Sequence, residues 1–111
     1  MTAATSQSRF VPPELLDPVI AYFHPRRVIL FGSNARGDAG PESDIDLMVI
    51  IDDDAPPELR TLEAGWESRR GYHGSVDIIP CRESVFQKKR NIVGTLSFDA
   101  SREGVVIYER P

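Results

Sequence analysis

Two short stretches of the chain decide its fold. Residues 31–37 read F-G-S-N-A-R-G, and residues 43–49 read S-D-I-D-L-M-V. Each overlaps a run of apolar, mostly β-branched residues, over 28–31 and 45–51, and such runs are typical of buried strands. The sequence therefore predicts two strands joined by a polar, glycine-containing loop over residues 33–42, with room for one helical turn.

Two aspartates open the second of these strands. Asp44 and Asp46 are two residues apart, so on a strand their side chains point to the same side, with Cα atoms about 6.6 Å apart. Two carboxylates at that separation repel each other unless a cation lies between them. Ile45 and Leu47 take the opposite face, which suits a core. Oxygen ligands in this arrangement favour Mg²⁺, which binds a few carboxylates together with water and substrate phosphate.

A third aspartate lies in a later apolar run. Residues 75–79 read S-V-D-I-I and predict a third strand that stops at Pro80, with Asp77 facing away from its apolar neighbours. If this strand lies beside the strand of Asp44 and Asp46, three carboxylates meet at one site. Three carboxylates can bind two metal ions about 3.5–4 Å apart, the clamp used for in-line displacement at phosphorus.

A glycine and a serine stand where the first strand ends. Glycine lets the backbone approach a phosphate closely, and the N–H groups that follow it, with the serine hydroxyl, can donate to phosphate oxygens. Arg36 can add a charge-assisted contact to the same phosphates. We therefore predict that Gly32, Ser33 and Arg36 bind a nucleotide.

No single one of these signals is specific. A Gly-Ser pair is more often a simple turn, and an Asp-x-Asp pair is more often a solvated strand end. Their order and spacing along the chain make the set specific. Zinc is disfavoured because His24 and His73 stand in unrelated segments. Cys81, the only cysteine, is expected to be buried and inert.

The first half of the chain also predicts two helices. The first has the apolar stripe of one helical face, is interrupted at Pro18, and ends at His24-Pro25. The second begins near Pro56-Pro57. The apolar face consists of Leu16, Val19, Ile20 and Phe23 in the first helix and of Leu59, Leu62 and Trp66 in the second.

The last third of the chain predicts two shorter helices and a strand. One helix contains Val85 and Phe86 and extends towards Ile92, and the other covers residues 95–103 with Gly104 as its C′ residue. Residues 105–108 predict a final edge strand. The alternation of strands and helices indicates an α/β (α+β) fold, a small mixed β-sheet flanked by helices.

Length and composition point to one small globular domain. The chain has 111 residues, 41% of them hydrophobic and 27% charged, with a net charge of −4. That charge makes nucleic acid an unlikely partner, because binding to a phosphate backbone needs an excess of lysine and arginine on one face. The cluster Lys88-Lys89-Arg90 is more typical of solvated surface.

The chain shows no sign of a membrane segment or an export signal. No apolar run approaches the roughly 20 residues needed to cross a bilayer. The first nine residues lack the apolar core of a secretory signal. We therefore expect a cytoplasmic protein with a disordered tail over residues 1–12 and one domain over residues 13–111.

The motifs resemble those of the minimal nucleotidyltransferases of the DNA polymerase beta superfamily. The family signature is Gly-Ser, a loop, Asp-x-Asp and a distal Asp, and the small prokaryotic subfamily has a G-S-x-A-R-G…S-D-[IL]-D-[IL] pattern. The resemblance extends from about Pro13 to Tyr108. It implies that Asp44, Asp46 and Asp77 are the metal-binding and catalytic acids, and that the pair at 32–33 holds phosphate.

The resemblance also implies an activity and a partner. Members of the family use Mg²⁺ to transfer a nucleoside monophosphate, usually AMP from ATP in small members, to a hydroxyl group. The small subfamily works beside a separate helical protein of the HEPN family, as the antitoxin of a toxin–antitoxin pair that adenylylates a toxin tyrosine. Both Lys88-Lys89-Arg90 and the helix around Phe86 are candidate partner surfaces.

Two alternatives stay open at the level of sequence. The same fold could neutralise its partner by masking it without turnover, although three intact acids speak against lost catalysis. It could also modify a small molecule such as an aminoglycoside. Larger relatives that do so carry an added domain for the acceptor, and a chain of this length has no room for one.

Overall fold

The protein is built around a four-stranded mixed sheet. The computed structural model describes residues 11–37, 40 and 44–111. The strands are paired in the order β3-β2-β1-β4; β1 is antiparallel to both of its neighbours, and β2 and β3 are parallel. This confirms the predicted fold class. The strands are β1 (Arg27–Phe31), β2 (Ile45–Ile51), β3 (Val76–Arg82) and β4 (Val105–Glu109).

Helices cover both faces of the sheet. No helix in the described part of the chain is long and apolar enough to cross a membrane. A single 3-10 turn, Pro57–Arg60, precedes the third helix. The α-helices are α1 (Pro13–Phe23), α2 (Ser33–Arg36), α3 (Leu62–Ser68), α4 (Glu83–Lys89) and α5 (Leu96–Glu103).

The alternation of side chains along β1 and β2 creates two apolar layers. The first layer packs under α1 and α3 and contains Val28, Leu30, Leu47, Val49 and Ile51 with Leu15, Val19 and Phe23 of α1. The second packs under α4 and α5 and contains Ile29, Phe31, Met48 and Ile50 with Phe86 and Ala100. Asp46 lies in line with Met48 and Ile50, so its carboxylate belongs to the second face.

The first helix is not interrupted at Pro18, contrary to the prediction from the sequence. It begins at Pro13 and runs through Pro18 to Phe23, with His24 in the left-handed conformation (φ 48°) at its C-terminus. Pro18 is exposed, so the carbonyl that it leaves without a helical partner can be hydrated. The buried stripe is Leu15, Val19 and Phe23, while Leu16 and Ile20 are only partly buried.

Two residues that precede α1 pack against the domain. Val11 is buried in the first apolar layer, and the carbonyl of Pro12 accepts hydrogen bonds from Leu15 and Leu16 at 2.9 and 3.0 Å. These contacts fix the entry into α1. The predicted domain over residues 13–111 stays a prediction, and residues 1–10 of the predicted tail lie outside the described part of the chain.

The third strand does not stop at Pro80. It continues to Arg82, with Pro80 opposite Val49 of β2. A proline cannot donate to a neighbouring strand, but β3 is the edge of the sheet and has only one neighbour. The prediction failed because the sequence does not reveal which strand lies at the edge.

The predicted apolar face of the second helix was wrong for Leu62 and Trp66, whereas Leu59, in the 3-10 turn, packs against the first apolar layer. Leu62 and Trp66 of α3 are 70% and 52% exposed, and the helix is buried through Ala64, Gly65 and Ser68 instead. A Cβ at position 65 would overlap the carbonyl oxygen of Ile78. The small residue lets α3 approach the backbone of β3, and this approach turns the larger apolar side chains outward.

The two C-terminal helices differ from prediction in detail. Ile92 lies outside α4, which ends at Lys89. Thr95 caps α5, because its hydroxyl accepts from the backbone N–H of Phe98 at 3.1 Å. Gly104 follows α5 in an extended conformation (φ −81°), not in the left-handed one expected for a C′ glycine. A glycine fits there because a Cβ would overlap the carbonyl oxygen of Ala100.

Candidate active site

Two of the predicted acids are aligned across the sheet. Asp46 in β2 is the register partner of Asp77 in β3. On its other side, Asp46 is opposite Phe31, the last residue of β1. The condition that the sequence left open, a β3 strand beside the strand of Asp46, is therefore met. The acids lie where β2 and β3 begin and β1 ends.

The carboxylate of Asp46 is partly buried and lies near two other acids. Burial raises its pKa above the usual aspartate range, and the negative charges of Asp77 and Asp44 raise it further. A side-chain hydrogen bond with Asp77 also raises this pKa, and the positive charge of Arg36 lowers it by a smaller amount. Such a group favours a bound cation, which would relieve the repulsion among the acids.

Asp44 is held in place by a residue of the Gly-Ser loop. Its side chain is exposed just before β2, and its backbone carbonyl accepts a hydrogen bond from Nδ2 of Asn34 at 2.7 Å. The short helix α2, which contains Asn34, is thereby tied to the acid strand. Sequence reasoning missed this role of Asn34, although its place in the motif between Ser33 and Arg36 was a signal.

Two features at position 32, its backbone conformation and its contact with Asp46, require a glycine. Its φ of +81° lies in the region that side chains disfavour, and a Cβ at this position would overlap Oδ2 of Asp46. The backbone of residue 32 therefore lies directly against the carboxylate of Asp46. Ser33 begins α2, and the first N–H groups of a helical turn have no partner within the turn.

Arg36 is directed towards the C-terminal part of the protein. Its Nη1 forms an ion pair with Glu103 of α5 at 2.7 Å, and both side chains are partly exposed. Its positive charge still acts on Asp46. The role of Arg36 as a phosphate ligand stays a prediction. To bind phosphate, its guanidinium would have to leave Glu103 or contact Glu103 and the nucleotide at the same time.

The donor set partly fits the expected magnesium. Asp46 and Asp77 provide two adjacent carboxylates, and Mg²⁺ is commonly held by one or two carboxylates together with substrate phosphate and water. Among residues 11–37, 40 and 44–111, no three His, Cys, Asp or Glu side chains are grouped closely enough to hold one ion. Asp44 is thus a neighbour of the aligned pair and not part of a preformed three-acid ligand set.

Neither histidine nor the cysteine competes for this role. His24 and His73 are both exposed and lie in the separate segments predicted for them. Cys81 is partly buried in β3, and burial raises the pKa of its thiol. A raised pKa keeps the sulfur protonated and weakly nucleophilic, in agreement with the predicted inert cysteine.

Comparison with known proteins identifies the family of the chain. Residues 14–98 match the family model of the nucleotidyltransferase domain. The chain belongs to this family. The match spans every predicted site residue, from Gly32 to Asp77, and the protein is accordingly a nucleotidyltransferase enzyme. No curated protein matches the chain in sequence.

Two solved structures share the fold of this nucleotidyltransferase. A protein from Sulfolobus solfataricus, described as a candidate nucleotidyltransferase, is 25% identical with a TM-score of 0.60 and covers 99% of this chain and 89% of its own. A toxin–antitoxin crystallised with AMP-PNP is 16% identical with a TM-score of 0.59, covering 90% of this chain and 75% of that one. At that identity the second likeness concerns the fold alone.

A cavity of about 540 Å³ opens beside the aligned acids of the nucleotidyltransferase. We call it the α3 pocket. Most of its lining residues belong to α3 and β3, and neither Gly32 nor Ser33 lines it. Its walls are Phe31, Asp46, Leu62, Gly65, Trp66, Arg69, Val76, Asp77, Ile78, Ile79 and Leu96. Sequence reasoning missed the pocket because it placed Leu62 and Trp66 in the core.

Proposed function

We propose that this nucleotidyltransferase moves AMP from ATP to a hydroxyl group on a partner protein. The observation that carries the proposal is the alignment of Asp46 with Asp77 across β2 and β3, with Gly32 against the Asp46 carboxylate. In this proposal the phosphate-binding residues follow β1, and the acids that bind metal and activate the acceptor lie on the neighbouring strands β2 and β3. Such an order suits displacement at phosphorus, where positioning and electrostatics supply most of the rate.

Each residue has a distinct task in this proposal. The backbone at Gly32 and the hydroxyl of Ser33 hold the phosphates that leave as pyrophosphate. Asp44, Asp46 and Asp77 would hold Mg²⁺, and the ion would supply positive charge to the triphosphate and to the charge that develops at the α-phosphorus. Asp77, which is exposed, orients the acceptor hydroxyl and takes its proton. As the acceptor oxygen bonds to the α-phosphorus, the bond to the β-phosphate breaks.

The partner that we propose is a helical HEPN-type toxin whose tyrosine accepts the AMP. This part rests on the resemblance of the G-S-N-A-R-G and S-D-I-D motifs to the small antitoxin subfamily. The fold shared with a toxin–antitoxin crystallised with AMP-PNP is compatible with it. On this reading the chain acts as an antitoxin, and catalysis, not masking alone, silences the toxin.

The test is transfer of label from α-labelled ATP to a protein that co-purifies with the chain or is encoded beside it. Wild-type protein with Mg²⁺ should label the partner, and Asp44→Asn should abolish labelling while still binding the partner. Asp17→Asn is the matched control, because Asp17 is an exposed aspartate of α1 on the opposite face of the sheet.

Masking without turnover makes the opposite prediction. If wild type labels no tested partner and Asp44→Asn neutralises the toxin as well as wild type does, the protein is a binding module. Labelling of a free aminoglycoside in place of a protein would instead assign it to small-molecule transferases.

A further inference from the structure

We infer that the α3 pocket is the acceptor subsite and that Trp66 is its specificity-determining residue, the platform for the phenol ring of a tyrosine on a protein segment. The inference rests on the proposed function and adds to it the place where the acceptor binds. It also assigns a role to the two apolar residues of α3 that the fold leaves outside the core.

The order of the strands determines the direction from which the acceptor enters. Gly32, which follows β1, lies on one side of Asp46, and Asp77 lies on the other. Most walls of the α3 pocket come from α3 and β3, on the Asp77 side, and Phe31 of β1 closes its opposite end. In-line displacement places the attacking oxygen opposite the leaving pyrophosphate. If pyrophosphate leaves on the Gly32 side, the acceptor must approach from the Asp77 side. The nucleoside is attached through a third oxygen and points away from this line.

The walls of the pocket select the chemistry of the acceptor. Leu62, Trp66 and Leu96 line it and are 70%, 52% and 48% exposed, a concentration of open apolar surface next to two acids. A polycationic drug would need carboxylates beyond Asp46 and Asp77, and the described residues that line the pocket include no other. A flat apolar group with one hydroxyl matches both the walls and the acids.

The single cation of the pocket does not suit a nucleic-acid strand. Arg69 donates from Nη2 to the carbonyls of Tyr72 and Gly74, at 3.2 and 2.5 Å. Its Nε is buried and has no hydrogen-bond partner among the described residues. The guanidinium therefore fastens the segment that leads into β3. A nucleic-acid acceptor would need several cations to bind its phosphates.

The indole of Trp66 is positioned to stack with an aromatic ring of the acceptor. The guanidinium of Arg70 lies over the indole, 5.4 Å from the ring centroid, and is itself paired with Glu67 at 2.8 Å. This contact fixes the indole from one side and leaves it exposed towards the pocket. Aromatic rings stack favourably at such a surface, and the hydroxyl of a bound phenol would then lie on the side of Asp77.

Binding of the phenol can be followed without knowing the partner. The chain has a single tryptophan, so its indole N–H gives one unambiguous NMR signal. With ATP analogue and Mg²⁺ present, N-acetyltyrosinamide should shift this signal saturably. N-acetylserinamide, kanamycin and a thymidine trinucleotide should not. A saturable shift by adenosine but not by N-acetyltyrosinamide would overturn the inference and make the pocket a base site.

The kinetic test uses the protein partner and separates the subsite from the rest of the site. Trp66→Ala should raise KM for the partner by roughly threefold to tenfold, with the Kd of ATP unchanged, and Trp66→Phe should restore most of the loss. Tyr22→Ala, which removes an aromatic ring 40% exposed on α1, should leave KM unchanged.

The outcomes distinguish the two claims. Transfer to the partner with an unchanged KM in Trp66→Ala would contradict the subsite and leave the proposed function in place. A saturable tyrosinamide shift without transfer to any partner would support the subsite and contradict the proposed function.

Discussion

At the scale of the residue, Gly32 is the position where the backbone lies against one of the acids proposed to catalyse transfer. It combines a positive φ with contact against Asp46 Oδ2. Gly32→Ala should therefore destabilise the fold by about 1–3 kcal/mol and also displace the carboxylate, lowering AMP transfer by more than about tenfold. Urea unfolding and labelled transfer measure the two effects.

Gly94 offers a matched control for this substitution. Its φ is +94°, but no atom lies within 4 Å of the Cβ that a substitution would add. Gly94→Ala therefore carries the backbone strain without the overlap. Equal losses of transfer in the two variants would contradict a specific role of Gly32 at the carboxylate.

A second prediction at this scale concerns Asp52 and acid stability. Its pKa is lowered, first by hydrogen bonds from Arg110 and then by those from Arg26, with N–O distances of 3.0 and 3.1 Å. A lowered pKa means that the unfolded chain takes up the proton first. The stabilisation is thus present above the unfolded aspartate pKa of about 3.9 and is lost as the pH falls through the folded value.

Thermal unfolding of Asp52→Asn across this pH range checks the sign. The variant should be slightly less stable than wild type at neutral pH, and the difference should vanish in strong acid. Asp54→Asn, an exposed neighbour, should show a smaller difference at neutral pH. A difference in stability between wild type and Asp52→Asn that widens on acidification would contradict this prediction.

At the scale of the element, α3 and β3 show where sequence reasoning succeeds and fails. The acids were predictable because they interrupt apolar runs, and a period of two places Asp44 and Asp46 on one face of their strand whichever strand lies beside it. The extent of β3 beyond Pro80 was not predictable, because it depends on β3 lying at the edge of the sheet.

The orientation of α3 was unpredictable for a different reason. Apolar periodicity places the largest side chains inside, but here close backbone packing at Gly65 outweighs the burial of Leu62 and Trp66. Such an inversion conflicts with the local pattern, and local rules fail most often at functional sites. The side chains left outside line the pocket beside the acids.

Packing at Gly65 leads to a prediction for the element. Gly65→Ala would add a Cβ that overlaps the Ile78 carbonyl, so α3 should move away from β3 at a cost of about 1–3 kcal/mol. Gly71→Ala, with open space around its Cβ, is the control. Urea unfolding measures the stability of both variants. Equal stability of Gly65→Ala and Gly71→Ala would show that α3 does not need to approach β3 closely.

At the scale of the whole molecule, the sheet brings together side chains from segments far apart in sequence. Gly32 follows β1, Asp46 lies in β2 and Asp77 in β3, and each belongs to the same end of three adjacent strands. Apolar layers on both faces hold this arrangement. A ligand that bridges these strands should therefore stabilise the molecule as a whole.

Thermal unfolding with ATP and Mg²⁺ tests this coupling. Together they should raise Tm of the wild type, since a ligand that binds only the folded state stabilises it. Asp46→Ala should shrink the increase, whereas Asp99→Ala, an exposed acid of α5, should retain it. An equal increase in wild type and Asp46→Ala would show that the nucleotide binds elsewhere.

The most direct test of catalysis by the aligned acids is the intact mass of the partner protein. The partner, co-purified with the chain and incubated with ATP and Mg²⁺, should gain one or more AMP units. The same incubation with Asp46→Asn or Asp77→Asn should leave its mass unchanged. A partner that gains AMP equally with wild type and with these variants would contradict the central claim.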